Sequence, residues 1–264
     1  MAFDPLNAIA EVLGEPADQM RNPVNAQYLC PFTRSTCIKL SHSLKTPVPV
    51  CTLYTSDHSP ICVCPKRLFQ AALAEDVVAN AWAGPRPEHP TVAYEVTMEK
   101  FGKVDMVIAD VRPGTHKVQQ FVSVELQAVD ITGSYLPAYV ALTNSRTLER
   151  RPTFNFNWAN VQKRFVSQLI AKGYYHHQWG TRIVAVVQTE LFRRMQKHAR
   201  VPGVQLEESN IVFMLYDYQL SDGRLVLRLD EVVPTTHTNV MNAILYERPP
   251  SREQFEGRII GRLS

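Results

Sequence analysis

Apolar residues recur along this chain with two different periods, and the changes of period mark out its elements. Leu6, Ile9, Val12 and Leu13 share one helical stripe behind Asp4-Pro5, an acid at a cap position followed by proline in the first turn, which predicts a short helix ending at Gly14. Residues 66–82 carry Leu68, Phe69, Ala72, Leu73 and Val77 at helical spacing and stop at Gly84-Pro85, so a longer helix is predicted there, then a proline-rich connection through Pro90. From Thr91 the period becomes two. Residues 104–111 and 118–129 read as strands joined across Arg112-Pro113-Gly114-Thr115, a hairpin. Trp158, Val161, Phe165 and Leu169 predict a second long helix over residues 157–172, capped by Asn157 and stopped by Gly173. A buried strand over 183–187, a basic helix over 191–199, strands over 211–218 and 225–229 around Ser221-Asp222-Gly223, and a late helix over 239–246 complete the pattern, with residues 252–264 read as a frayed tail. The order is α/β, a mixed central sheet flanked by helices, without internal repeats.

The chain has 264 residues, 45% hydrophobic and 20% charged, enough for a real core and unlike a disordered, collagenous or disulfide-dense protein. No run approaches the roughly 18 apolar residues of a membrane span, so no membrane partner is expected. Met1-Ala2-Phe3-Asp4-Pro5 lacks the basic start of a secretory signal, so an intracellular, cytoplasmic setting is expected. The net charge of +3 conceals a strong asymmetry. Residues 145–200 hold eleven Lys or Arg against Glu149 and Glu190, leaving 17 basic and 23 acidic residues elsewhere. Such a block suits a surface that meets phosphates; the alternative is a solvated helix face.

All five cysteines, Cys30, Cys37, Cys51, Cys62 and Cys64, fall within 35 residues, in a stretch rich in Pro, Ser and Thr. In a reducing compartment an odd cluster of thiols fits a four-thiolate metal site better than a disulfide framework, and a cross-linking ion would stand in for the missing core. The alternative is a set of small buried hydrophobes. The spacing is not that of a standard zinc finger. The hairpin supplies a second candidate. Its turn sets antiparallel partners whose numbers total about 230, placing Asp105 opposite Glu125. Facing carboxylates repel unless a cation bridges them. Ser123, Glu125 and Gln127 share a face with Asp105, a set of hard oxygen donors that suits Mg²⁺; the alternative is an acid-lined wet sheet face.

The Asp105 to Glu125-Leu126-Gln127 arrangement resembles the PD-(D/E)xK nuclease signature, with Gln in the usual Lys place. Longer segments resemble the NotI-type restriction endonucleases: Cys30-Pro31-Phe32 with Cys37-Ile38-Lys39, Cys64-Pro65-Lys66-Arg67, Val124 to Asp130 with Thr132-Gly133, and Asn157-Trp158 leading to Lys163-Arg164 and Lys172-Gly173. These stretches run in order over roughly residues 28–188. The resemblance implies a prokaryotic type II restriction endonuclease with a PD-(D/E)xK core, a homodimer that cuts a GC-rich palindrome in double-stranded DNA with Mg²⁺. It also implies an iron held by Cys30, Cys37, Cys51 and Cys64, with Cys62 spare; thiolates alone do not choose iron over zinc.

On that reading the chain divides into a helical segment over 1–28, a cysteine module over 29–65 and a nuclease core over 66–264. Asp105 and Glu125 hold Mg²⁺, the Leu126 carbonyl adds a ligand and Gln127 orients the water. Gln127 brings no positive charge, so either the metal alone stabilises the transition state or Lys163 reaches in from its helix. Glu95 is a further acid for the same site, or an exposed strand residue. Arg146, Arg150, Arg151, Lys163 and Arg164 are the candidate DNA contacts. Two other readings share this sequence: a DNA-binding module that has lost cleavage, and a nuclease that recognises DNA structure. His176-His177 lack a third metal ligand and are read as a loop or strand edge, Tyr174, Tyr175 and Trp179 as packing residues. Ser134 and Ser167 lack triad partners.

Overall fold

The computed structural model describes residues 2–41, 45–88, 90–115, 117–245 and 251–263, without the side chains of Gln162 and His198. In chain order the elements are β1 (Ile9–Val12), β2 (Glu15–Pro16), β3 (Leu29–Cys30), β4 (Ser35–Thr36), β5 (Val50–Tyr54), β6 (Pro60–Cys62), α1 (Leu73–Asn80), β7 (Pro90–Thr97), β8 (Lys103–Val111) and β9 (Val118–Gln127). They continue with β10 (Ile131–Gly133), α2 (Leu136–Thr143), β11 (Phe154–Phe156), α3 (Trp158–Gln178), β12 (Arg182–Gln188), α4 (Thr189–His198), β13 (Ile211–Ser221), β14 (Arg224–Thr235), α5 (His237–Leu245) and α6 (Arg252–Leu263). Three 3₁₀ turns, Pro5–Asn7, Pro65–Gln70 and Leu206–Glu208, complete the described residues.

The main sheet runs β14-β13-β12-β9-β8-β7. β12 lies parallel to both β9 and β13, and the outer pairs are antiparallel, so the sheet is mixed. All seven residues of β12 are buried, as an apolar run covered on both faces requires. On one face Ile183, Ala185, Val187, Phe213 and Leu215 pack beneath Phe165 and Leu169 of α3 and Leu191 of α4. On the other, Met106, Ile108, Val122, Val124, Val184 and Met214 pack against Leu73, Val77 and Val78 of α1. The hairpin register is as expected, with Met106 opposite Val124 and Ile108 opposite Val122.

A second sheet, β2-β1-β5-β6, joins the first core through Ile9, Val12, Val50, Leu53 and Ile61. Its lock is polar. Arg67, 1% exposed, donates from Nε and Nη2 to the two oxygens of Glu11 at 2.8 and 2.9 Å, and Nη2 also reaches the Leu225 carbonyl at 2.7 Å. This buried, bidentate and fully hydrogen-bonded pair ties the cysteine region to β14. Among the described residues no helix is long and apolar enough to cross a membrane.

Several elements depart from the sequence reading. The helix expected over residues 4–14 is only the turn Pro5–Asn7, capped as expected by Asp4, which accepts from the Leu6 amide at 2.9 Å. Ile9–Val12 is instead a strand buried at every position, because β5 offers it a backbone partner. The helix over 66–82 splits: Ala71 is extended (ψ 155°), separating the turn Pro65–Gln70 from α1. Gly173 does not stop α3, which continues to Gln178. A Cβ there would stand 2.7 Å from Cδ1 of Ile211, so the glycine lets the helix approach β13. His176-His177 are therefore helical, not loop or strand edge. Residues 252–263 form a helix, not a frayed tail; Tyr246 and Ser264 lie outside the described residues.

Candidate active site and cysteine cluster

Three acids occupy neighbouring register positions at one end of the β7-β8-β9 meander. Between the pairs Tyr94 with Met106 and Val96 with Val104, Glu95 faces Asp105; one step past Met106 with Val124, Asp105 faces Glu125. The Asp105 carboxylate is fixed by the Leu126 amide, which donates to Oδ2 at 2.8 Å. Glu95 has φ 53°, a left-handed conformation inside a strand that a non-glycine residue holds only where its surroundings impose it. Lys66 binds its Oε1 at 3.0 Å and Lys103 stands 3.8 Å from Oε2. The hydrogen bond and charge of Lys66, assisted by Lys103, hold Glu95 below the usual carboxylate range.

The face carrying Glu125 is not a wet one. α3 lies over it, and Lys172, 2% exposed, puts its Nζ on Glu125 Oε1 and donates to the Lys103 carbonyl at 2.8 Å. Burial pushes the Glu125 carboxyl above its ordinary value, Asp105 and Glu95 push the same way, and the hydrogen bond and charge of Lys172 oppose them. One turn further along, His176 bonds the Lys172 carbonyl through Nδ1 and Ser123 Oγ through Nε2, both at 2.7 Å. Burial holds this imidazole at about 4, so it is neutral near pH 7 and hooks α3 to β9 two residues before Glu125. Gln127 turns its amide to the Ala128 carbonyl.

Glu95 and Asp105 open into a cavity of about 640 Å³, whose other wall is the loop between Cys30 and Cys37, with Phe32, Thr33, Arg34 and Ser35, and Lys66 and Phe69 beside it. In the sequence Lys172 figures only in the family-like segment Lys172-Gly173, without a role at the site. Its signal was present: it continues the buried stripe of Phe165 and Leu169, where a lysine needs an anion. Lys163 is exposed, nine residues and about 14 Å of helix earlier. Arg146, Arg150, Arg151 and Arg164 are also exposed. Arg164 stands 3.9 Å from Asp130. Arg151 lines a second cavity with Asp57, Trp158 and Arg194, whose guanidinium lies 4.3 Å above the Trp158 ring.

The cysteines converge without forming a closed shell. Burial raises the thiol of Cys37, and Cys64 and Cys30 add to it; burial raises Cys51 well above its ordinary value, with Cys64 again adding. Cys64 is thus near Cys37 and Cys51, and Cys30 near Cys37. Lys39 sits among them, its Nζ donating to the carbonyls of Val50 and Val63 at 2.9 Å each. Burial opposes its charge, and Tyr135, Cys64 and Cys51 outweigh burial, so its ammonium is strengthened. Cys62 is a neighbour of Cys64 from the α1-side core: its Sγ donates to the Cys64 carbonyl at 3.2 Å, and Cys64 adds to the rise that burial imposes on its thiol. Among the described residues no three His, Cys, Asp or Glu side chains stand close enough together to hold a metal ion. The side chains of Cys30, Cys37, Cys51 and Cys64 are donors of the type that thiolate-binding metals use.

No curated protein matches the chain. Residues 17–225, about four-fifths of it, match the family model described as restriction endonuclease NotI, a stretch that spans the cysteines, the three acids and α3. On this match the chain belongs to the NotI restriction endonuclease family and is a site-specific deoxyribonuclease of the type II restriction class.

Proposed function

We propose that this family member hydrolyses phosphodiester bonds with Mg²⁺ on a PD-(D/E)xK core, cutting a short GC-rich palindrome in double-stranded DNA as a homodimer. The observation that carries the proposal is the row Glu95, Asp105 and Glu125 with a buried ammonium on its innermost member. Lys66 pairs with Glu95 and Lys172 with Glu125, and a cation at Asp105 would offset the repulsion left among the three carboxylates. Asp105 and Glu125 would hold the ion, with the Leu126 carbonyl adding a ligand and Glu95 completing the site. Bound Mg²⁺ supplies a Lewis acid and lowers the pKa of water.

The remaining work falls to the chain. Gln127, freed from Ala128, orients the attacking water. Lys172 keeps Glu125 ionised and aimed, the positioning role that Gln127 cannot fill for want of charge. Arg146, Arg150, Arg151, Lys163 and Arg164 would meet the duplex, their exposure leaving their charges for phosphates, with Arg164 also 3.9 Å from Asp130. Cys30, Cys37, Cys51 and Cys64 would hold iron or zinc, fastening the loop that walls the cleavage cavity; Cys62, whose thiol is engaged by the Cys64 carbonyl and packs in the α1-side core, would stay out. A cytoplasmic, prokaryotic setting follows from the same reading.

The test is plasmid cleavage by Glu125→Ala and Asp105→Ala proteins that still bind DNA in a gel-shift assay. Both should lose cutting while retaining binding. Wild-type cutting by Glu125→Ala would remove this residue from the site.

A further inference from the structure

The guanidinium of Arg194 is held more firmly than a solvated charge. From α4 its Nε donates to Glu190 Oε1, one turn back, at 2.7 Å, and its Cζ lies 4.3 Å from the centre of the Trp158 ring. Among the described residues neither Nη donates a hydrogen bond, so a fork pinned at Nε and stacked on an indole keeps its two outer nitrogens for a ligand. Arg194 lines the cavity of about 600 Å³ that Asp57, Arg151 and Asn155 also line. Asp57 is ordered as well: Thr55 Oγ1 donates to its Oδ1 at 2.5 Å and Ser59 Oγ to its Oδ2 at 3.2 Å. The Thr55 hydrogen bond, its own backbone amide and Ser59 hold this carboxyl below the usual range, and the charge of Arg194 adds to them.

The two charges together select the ligand. A phosphate or carboxylate would suit Arg194 but meet repulsion from Asp57. A G·C pair suits both: guanine presents O6 and N7 to a guanidinium fork in the major groove, and its cytosine presents an N4 amine to a carboxylate. The cavity also lies within reach of a duplex seated on the acids. α3 runs antiparallel to β9, with His176 on Ser123, Lys172 on Glu125 and Asn160 on Asp130, so Trp158 stands past the carboxyl end of that strand. From Lys172 back to Trp158 is about 21 Å of helix, the length of about six base pairs.

We infer that Arg194 and Asp57 read one G·C pair in each half of the recognition site, Arg194 on guanine O6 and N7 and Asp57 on cytosine N4. The inference deepens the proposed function and rests on it for the duplex; neither residue is among the five basic side chains assigned there to DNA.

The test is selection of bound duplexes from a random-sequence pool by the full chain, with Ca²⁺ in place of Mg²⁺ so that binding is read without cutting, followed by sequencing. The wild type should enrich one motif. Arg194→Ala and Asp57→Ala should each weaken the preference at the same G·C position about tenfold or more, leaving the other positions and the salt dependence of affinity unchanged. Arg193→Ala, which removes the exposed neighbouring charge on α4, should keep the whole motif. Asp57 is exposed and Arg194 only half-buried, so the variants should melt close to the wild type. An Arg194→Ala protein that selects the full motif, or that weakens all positions alike with a shallower salt dependence, would overturn the inference and leave the cutting reading in place. So would two variants that relax different positions. A wild type that binds its motif but does not cut it with Mg²⁺ would sink the cutting reading and leave this inference standing, whereas one that enriches no motif would overturn both.

Discussion

Lys172 is the residue on which the catalytic reading turns. A buried lysine on a helix stripe is costly unless an anion meets it, and here the anion is the innermost carboxylate of the site. Lys172→Met should lower cleavage by about a hundredfold or more, the scale of losing one preorganised charge, and should weaken Ca²⁺-supported DNA binding as well. Lys172→Arg should recover part of both. Equal cleavage by Lys172→Met and wild type, in a protein of unchanged melting temperature, would assign the lysine a packing role only. The sequence made Asp105 and Glu125 legible because strand period and turn position fix which residues face each other. Lys172 was not legible in that way, since its contact spans 47 residues and depends on where α3 crosses the sheet.

At the scale of elements, α3 is held to β9 by His176 and to β13 by Gly173. The neutral His176 has its folded pKa depressed to about 4 from the ordinary 6.5. Its contribution to stability is therefore complete above pH 6.5 and is lost as the pH falls from 6.5 through 4, up to about 3 kcal/mol at 1.36 kcal/mol per unit. Chemical denaturation across that range should show the loss, and His176→Gln should flatten it; an unchanged slope in the variant would place the acid sensitivity elsewhere. Gly173→Val should cost about 1 to 3 kcal/mol, because the added carbons meet Ile211. The cysteine module makes its own prediction: Cys64→Ser should reduce bound iron or zinc measured by plasma mass spectrometry, whereas Cys62→Ser should leave it unchanged. Metal loss in the second protein alone would exchange their roles.

Elements were legible where local signals agreed with long-range partners. The hairpin and β12 carried both alternation or continuous apolarity and clear turns. Residues 9–12 carried a stripe that satisfies either a helix or a buried strand, and only pairing with β5, some 40 residues away, decides between them. Helix α2, Leu-Pro-Ala-Tyr-Val-Ala-Leu-Thr, is apolar nearly all round and carries no helical period in the sequence.

For the whole molecule, the acids sit at one end of a mixed sheet, the loop between Cys30 and Cys37 walls their cavity, and a basic block is exposed on α3 and its preceding loop; the proposed function has these features meet one duplex. The most direct test is to incubate the purified protein with unmethylated GC-rich genomic DNA, with Mg²⁺ or with EDTA, and to sequence the fragment ends. Discrete ends sharing one palindromic sequence, present with Mg²⁺, absent with EDTA and absent with Glu125→Ala, are the predicted result. Tight binding without cleavage, or ends without a shared sequence, would contradict the account.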